Sequence, residues 1–292
     1  MNHFLKTILL LGSIALITFS GCKKDEIIIP DNTAPPDSTI STLIIENYVT
    51  KCYISLLGRE PSSTEENNAI AILTSGNLNV ASRKVMLDNI ISNLEYNLKL
   101  VEYNSVKLLN SPFDTTQIQE QIFVYNIALN DPQYADFVDL IQSVIDNLEI
   151  LLTTPQELTN GTIGVREMHR RMVFNEIYDQ INMGSFNYVL SLFNNFLFRD
   201  PTAAEQDAGI TMVDGFVAVM FYETGNSKEQ FVDIFLGSDD YFEGQVRELF
   251  LRYLFREPTS EEQGFYSAAY YESDDYNELQ KSILSTDEFT GL

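Results

Sequence analysis

Leu56-Leu57-Gly58-Arg59-Glu60-Pro61-Ser62-Ser63-Thr64-Glu65 returns as Phe196-Leu197-Phe198-Arg199-Asp200-Pro201-Thr202-Ala203-Ala204-Glu205. It returns again as Tyr253-Leu254-Phe255-Arg256-Glu257-Pro258-Thr259-Ser260-Glu261-Glu262. The shared core is an apolar pair, one free position, Arg, an acid, Pro, Ser or Thr, two residues and Glu. An aromatic stands six residues before each Arg: Tyr53, Phe193 and Phe250. Copies kept in register mark an internal repeat. Ser62, Thr202 and Thr259 precede Glu65, Glu205 and Glu262 by three residues, the spacing of a capping box, in which hydroxyl and carboxylate each accept from the other residue's amide. Pro61, Pro201 and Pro258 cannot continue an incoming helix and push the preceding residue out of the α region. Arg59, Arg199 and Arg256 are therefore expected at a helix end, offsetting exposed carbonyls and the macrodipole. Each unit reads as a helix, a sharp corner and a capped second helix.

A second landmark follows each copy. Ile91-Ser92, Leu236-Gly237-Ser238 and Leu284-Ser285 close a third apolar segment, and the acid-aromatic pairs Glu95-Tyr96, Asp240-Tyr241 and Glu288-Phe289 come just after. Ser238 is placed to cap the helix that opens the third copy, so the second and third units are expected to be continuous. Between the first and second units, Ile118, Ile122, Tyr125, Ile127 and Leu129 precede Pro132. Phe137, Leu140, Ile141, Val144, Leu148, Leu151 and Leu152 then recur at helical spacing. Gly161 and Gly164 break this run before a further helix, roughly Val165 to Met183, ended by Gly184. No alternating run with hairpin turn residues stands out. The fold expected is all-α, a helical bundle of three helix-corner-helix repeats plus a helical insertion. The repeats fall at 41–100, 185–243 and 244–292, with the insertion at 101–184.

Met1 to Cys22 carries Lys6, an apolar run from Ile8 to Phe19, and Ser20-Gly21-Cys22. The run is short for a spanning helix, and small residues directly before a cysteine suit lipoprotein signal peptidase. Residues 1–21 thus read as a lipoprotein signal peptide, with Cys22 as the lipidation site. Several acyl chains on one residue anchor stably where one alone holds only marginally. Residues 22–40, with Pro30, Pro35 and Pro36 among small polar residues, read as a tether. Acylation of Cys22 leaves Cys52 alone, so no internal disulfide is expected. Cys52 lies in the apolar stripe Ile45, Val49, Cys52, Leu56 and reads as a small buried hydrophobe. Lys24-Asp25-Glu26, close to the lipidated cysteine, resembles the signal of Bacteroidota lipoproteins for export to the outer leaflet.

The chain's 292 residues hold 18 Lys+Arg against 42 Asp+Glu, a formal net charge of −24, with 2 His, 2 Cys and no Trp. A nucleic-acid partner is excluded, because phosphate binding needs a basic surface. No cofactor or metal is expected, since zinc, copper and haem sites are built mostly from His and Cys. Any Ser-His-Asp or Cys-His arrangement in the processed chain would have to use His169. That residue lies among Arg166, Arg170 and Arg171, whose charge disfavours an imidazolium, and it reads as a surface or interface residue rather than a base. The arginines are expected to pair with carboxylates of neighbouring helices. Asp239-Asp240-Tyr241-Phe242-Glu243-Gly244 puts glycine at position 6 of an EF-hand count, but Tyr241 and Phe250 occupy positions that need ligands. No phosphate-cradling Gly-x-x-x-x-Gly-Lys occurs. Tyr266, Tyr270, Tyr271 and Tyr276 form the one aromatic cluster near the C-terminus and read as core or interface.

The repeated corner, with its upstream aromatic and downstream acid-aromatic pair, resembles a group of bacterial helical domains of secreted and surface proteins. The group extends to planctomycete envelope proteins and, distantly, to phycobilisome linker polypeptides. The likeness is nearest to Bacteroidota lipoproteins with a helix like Arg166-Glu167-Met168-His169-Arg170-Arg171-Met172 leading into Asn182-Met183-Gly184-Ser185-Phe186-Asn187, and it spans most of residues 45–290. It implies a fold and an envelope setting and brings no catalytic residue with it. The function expected is that of a non-enzymatic, lipid-anchored outer-membrane protein facing the cell exterior, a scaffold or docking module for an envelope protein or glycan. The alternatives are a carboxylate-based polysaccharide hydrolase and a glycan-binding accessory lipoprotein using tyrosines.

Overall fold

A computed structural model describes residues 41–292. The expected signal peptide, Cys22 and the tether lie outside the described residues. The first repeat comprises α1 (Thr42–Leu57), α2 (Ser63–Ser75), α3 (Val80–Ile91) and α4 (Leu94–Leu109). The insertion contributes α5 (Thr115–Leu129), a 3-10 turn (Pro132–Phe137), α6 (Val138–Thr159), α7 (Val165–Val173) and α8 (Glu176–Ile181). The second repeat opens with α9 (Ser185–Leu192), whose last turn relaxes into a π turn (Phe193–Leu197). It continues through α10 (Ala203–Val213), strands β1 (Ala218–Met220) and β2 (Glu223–Gly225), α11 (Lys228–Gly237) and α12 (Asp239–Tyr253). After the third corner come α13 (Ser260–Ser273), α14 (Tyr276–Leu284) and α15 (Asp287–Thr290). The fold is all-α, with one short hairpin among the described residues.

Superimposing the units in sequence gives the architecture. In each, a first helix turns through the corner into a second, a third follows, and a fourth begins at the acid-aromatic landmark. Helix α12 is the fourth helix of the second unit and the first helix of the third. This is how those units are continuous, with Ser238 Oγ accepting from the Tyr241 amide at the start of the shared helix. The shared helix also comes very close to the second corner. A Cβ on Gly244 would lie 1.9 Å from the Phe196 carbonyl oxygen, so the π turn rests directly on the backbone of α12. Gly costs roughly 1 kcal/mol in a helix interior, and here only Gly leaves room for the neighbouring main chain.

The first unit packs against the third rather than starting an open stack. Helix α1 meets α15, and α3 meets α14. Across that contact the Tyr48 hydroxyl donates to the Leu284 carbonyl at 3.1 Å and Lys51 Nζ donates to the Phe289 carbonyl at 2.9 Å. Buried Arg83 donates to the Ser285 carbonyl and to Asp287. Rings of Tyr48 and Tyr253 stand edge-on to Phe289, so α15 seals α1.

Two local expectations need correction. The helix read from Val165 to Met183 is broken at Phe174, because Asn175 takes an extended conformation and its Oδ1 caps the Tyr178 amide. The expectation of no hairpin fails at β1 and β2, which pair antiparallel through a two-residue turn, Phe221-Tyr222. Both turn residues have positive φ, the type I′ pattern that Asn and Gly adopt far more readily. The corresponding connection is residues 76–79 in the first unit and 274–275 in the third, so the hairpin is an addition peculiar to the second.

Candidate functional site

The corners are the most elaborate side-chain assemblies in the chain. All three capping boxes are closed: Ser62, Thr202 and Thr259 each accept from the N3 amide, and Glu65, Glu205 and Glu262 each accept from the cap amide. The arginines do something other than the carbonyl role expected of them. Arg59 forks onto Glu65 through two bonds of 2.9 Å and onto Glu95 through bonds of 2.8 and 2.7 Å. Arg256 does the same with Glu262 and Glu288. Arg199 forks onto Glu205 but reaches Asp240 through one nitrogen only, at 2.6 Å. Among their backbone partners, each donates to the carbonyl of the acid that follows it, not to the carbonyls ending its helix.

The acid of the acid-aromatic landmark is thus the second clamp on the corner arginine, joining the first turn of the fourth helix to the corner. The aromatic beside it, Tyr96, Tyr241 or Phe289, is buried in the core. The upstream aromatic is accounted for as well, since the Arg59, Arg199 and Arg256 guanidinium carbons stand 5.8, 5.0 and 5.1 Å from the rings of Tyr53, Phe193 and Phe250. The free position before each Arg takes the left-handed conformation: Gly58, Phe198 and Phe255 all have positive φ. Bonds from the guanidinium, with the cap amide and hydroxyl, hold the Glu65, Glu205 and Glu262 carboxyls down to about 2. Groups so fully committed to one another are fixed charges and structural fasteners.

His169 is corrected from surface to core. It lies on the inward stripe of α7 with Val165, Met168 and Met172 and is 1% exposed. Nε2 is 2.8 Å from Asn104 Oδ1 and Nδ1 is 2.9 Å from the Tyr241 hydroxyl. Asn104 Nδ2 already donates to the Leu100 carbonyl, which leaves its Oδ1 to accept. The partners therefore assign the proton to Nε2, and Nδ1 accepts from Tyr241. Burial, and then the charge of Lys107, hold the imidazole far below its usual range. A neutral, doubly bonded ring ties α7 to α4 and α12.

The arginines around it face outward and are matched: Arg166 with Asp274, Arg170 with Glu229 and Asp233, Arg171 with Glu157 and Glu167. Of the fifteen lysines and arginines from residue 41 onward, all but Lys51 and Arg252 form an ion pair with a carboxylate. Cys52 is fully buried and its thiol is pushed up to about 12 by that burial. Asp239 and Asp240 open helix α12 and form no calcium loop. Tyr270 and Tyr276 are core, Tyr266 is half-buried, and Tyr271 is exposed. Among the described residues no group of His, Cys, Asp and Glu is placed to hold a metal, and no helix is long and apolar enough to cross a membrane.

No family model, curated protein or solved structure matches the chain. The surface therefore has to be read from its own chemistry. A cleft of about 340 Å³ between the second and third corners is lined by Arg199, Asp240, Glu243, Arg247 and Glu257. Asp240 is paired with Arg199 and Glu257 with Arg247, while burial and the nearby Asp240 and Asp239 raise the Glu243 carboxyl. Large exposed apolar side chains gather on two segments that lie outside the shared repeat pattern. One is the α5–α6 pair, with Phe123, Val124, Ile127, Phe137 and Leu140; the other is the hairpin with its approach, where Phe216, Val217, Val219 and Tyr222 are exposed. Neither surface is visible from the spacing alone, which puts Ile127, Phe137 and Leu140 on helical stripes without saying which side is covered.

Proposed function

We propose that the chain is a lipid-anchored protein of the outer membrane, facing the cell exterior. It works without catalysis, as a helical scaffold that docks another envelope or extracellular component. One observation carries the docking half: the repeated charged motifs are spent on internal fastening, while exposed apolar side chains concentrate on the two segments added to the repeat. The anchoring half rests on Ser20-Gly21-Cys22 and Lys24-Asp25-Glu26. A cation-depleted exterior suits neither nucleic acid nor an anionic lipid surface.

Metabolic labelling with palmitate tests the anchor: label on the wild-type chain and none on Cys22→Ala supports it, and an unlabelled wild-type chain overturns it. Proteolytic shaving of intact cells tests display, since a protected chain would belong to the periplasmic leaflet. Purification of the tagged chain from native membranes tests docking by the recovery of a stoichiometric companion. A second reading, a carboxylate hydrolase of polysaccharides, is favoured by the raised carboxyl of Glu243 in an open cleft. Release of reducing ends from cell-wall or environmental glycans, abolished by Glu243→Gln, would establish it in place of the first.

A further inference from the structure

The α5–α6 pair combines two properties that the shorter stretch 200–227 around the hairpin shows on a smaller scale. From residue 108 to residue 165 there is no lysine, arginine or histidine, and there are eight carboxylates. Of those eight, Glu157 alone is in an ion pair. The same stretch exposes a run of large apolar side chains. In α5 the inward stripe of Ile118, Ile122 and Tyr125 packs against the core, and Phe123, Val124 and Ile127 lie on the opposite side, 66%, 61% and 57% exposed. Every residue from 131 to 140 is exposed, including Phe137 and Leu140. In α6, Leu148, Leu151 and Leu158 join the main core on the face shared with α4, α7 and α8, whereas Ile141 and Ile145 are buried outside that core cluster. The N-terminal half of α6 and α5 thus have one another as principal partners.

A helix of α5's length normally carries one apolar stripe. A second, outward stripe on a surface whose only charged groups are acids has a defined complement. We propose that the α5–α6 pair is a docking site for a cationic amphipathic helix of a partner protein. That helix would lay its apolar side on Phe123, Ile127 and Leu140 and its lysines or arginines against Glu120, Asp136 and their neighbours. The charge decides among occupants. A second copy of the chain would bring acids against acids, and lipid phosphates would find no cation. This inference deepens the docking reading above by naming the surface and the partner's chemistry, and it rests on that reading.

The test places a photo-cross-linking residue at Ile127, at Leu140 and, for comparison, at Tyr222 in the full-length chain in its own cells. The joined peptides are then sequenced. The result expected is one protein captured at Ile127 and Leu140 through a segment with an apolar stripe and several lysines or arginines. Its yield falls about ten-fold in Glu120→Lys/Asp136→Lys, as loss of interfacial charge matching predicts. Those two positions are exposed, and an unchanged melting curve confirms that the variant still folds. Capture of a second copy, of lipid or of nothing at Ile127 and Leu140, or a yield indifferent to the charge changes, overturns the proposal. Capture at Tyr222 alone overturns it while leaving the docking reading in place. Capture of no protein at any of the three positions removes both.

Discussion

Arg199 Nη2 stands 2.6 Å from Asp240 Oδ2, and that bond, together with the one Arg247 donates to the Phe198 carbonyl at 3.1 Å, joins the second corner to the helix shared by two repeats. The other corners use glutamate at the matching place, and its extra methylene lets Glu95 and Glu288 reach two guanidinium nitrogens each. Arg199→Lys keeps the charge but removes the fork, so it is expected to destabilise the fold by about 1–3 kcal/mol in urea melts. A loss below about 0.3 kcal/mol would mean the corner is held by its cap alone.

Glu205 has two jobs and Thr202 one. Thr202→Ala is expected to cost about 1 kcal/mol, the usual price of a lost N-cap. Glu205→Ala removes the return bond of the box and also strands Arg199, so its cost is expected to exceed that of Thr202→Ala by at least about 1 kcal/mol. A double-mutant cycle between Glu205 and Arg199 is expected to show clear coupling; simple additivity would contradict the fork.

Acid is expected to unfold the protein in two stages. The His169 imidazole is depressed in the fold, so the unfolded chain takes the proton first. Stability is then lost as pH falls below the ordinary imidazole value of about 6.5, at about 1.4 kcal/mol per pH unit for one proton. Glu65, Glu205 and Glu262 are also depressed, to about 2. Their contribution is full above about 4.5 and is lost as pH falls from there toward 2. Denaturant midpoints measured across this range for His169→Gln are expected to lack the upper stage and keep the lower one.

Two helical glycines offer a paired test of close approach. Gly244→Ala places a methyl against the Phe196 carbonyl and is expected to destabilise by more than about 2 kcal/mol, despite alanine's better helix propensity. Gly264→Ala, in α13, meets open space and is expected to stabilise by roughly 0.5–1 kcal/mol. Thermal denaturation of both variants under one condition distinguishes the two effects.

Phe255 occupies the left-handed corner position that Gly58 fills in the first repeat, and it is 83% exposed. Phe255→Gly relieves the steric cost of that conformation with little packing to lose. It is expected to raise stability by roughly 0.5–1 kcal/mol. A fall in melting temperature would show that the exposed ring contributes to the fold after all.

What was legible in the sequence is what has short range. The capping boxes could be read because Ser62 and Glu65 are three residues apart and the geometry is local. The partner of Arg59 at Glu95 could be noticed only as a recurring landmark, since its role depends on where the fourth helix begins in space. His169 misled because arginines crowd it in sequence, whereas the residues one helical turn away, Val165, Met172 and Val173, are core. The hairpin was invisible because Phe221-Tyr222 has none of the glycine or asparagine that ordinarily betrays such a turn. The outward stripe of α5 was hidden by its inward one, for both are apolar and only packing tells them apart.

The seal between the first and last helices bears on the order in which the protein is made. Tyr48 finds the Leu284 carbonyl, and Arg83 the Ser285 carbonyl, only after some two hundred further residues have followed. A chain emerging amino end first therefore carries α1 and α3 with an uncovered face until α14 and α15 have followed. Truncation of α15 by a premature stop is therefore expected to damage the first repeat as much as the third.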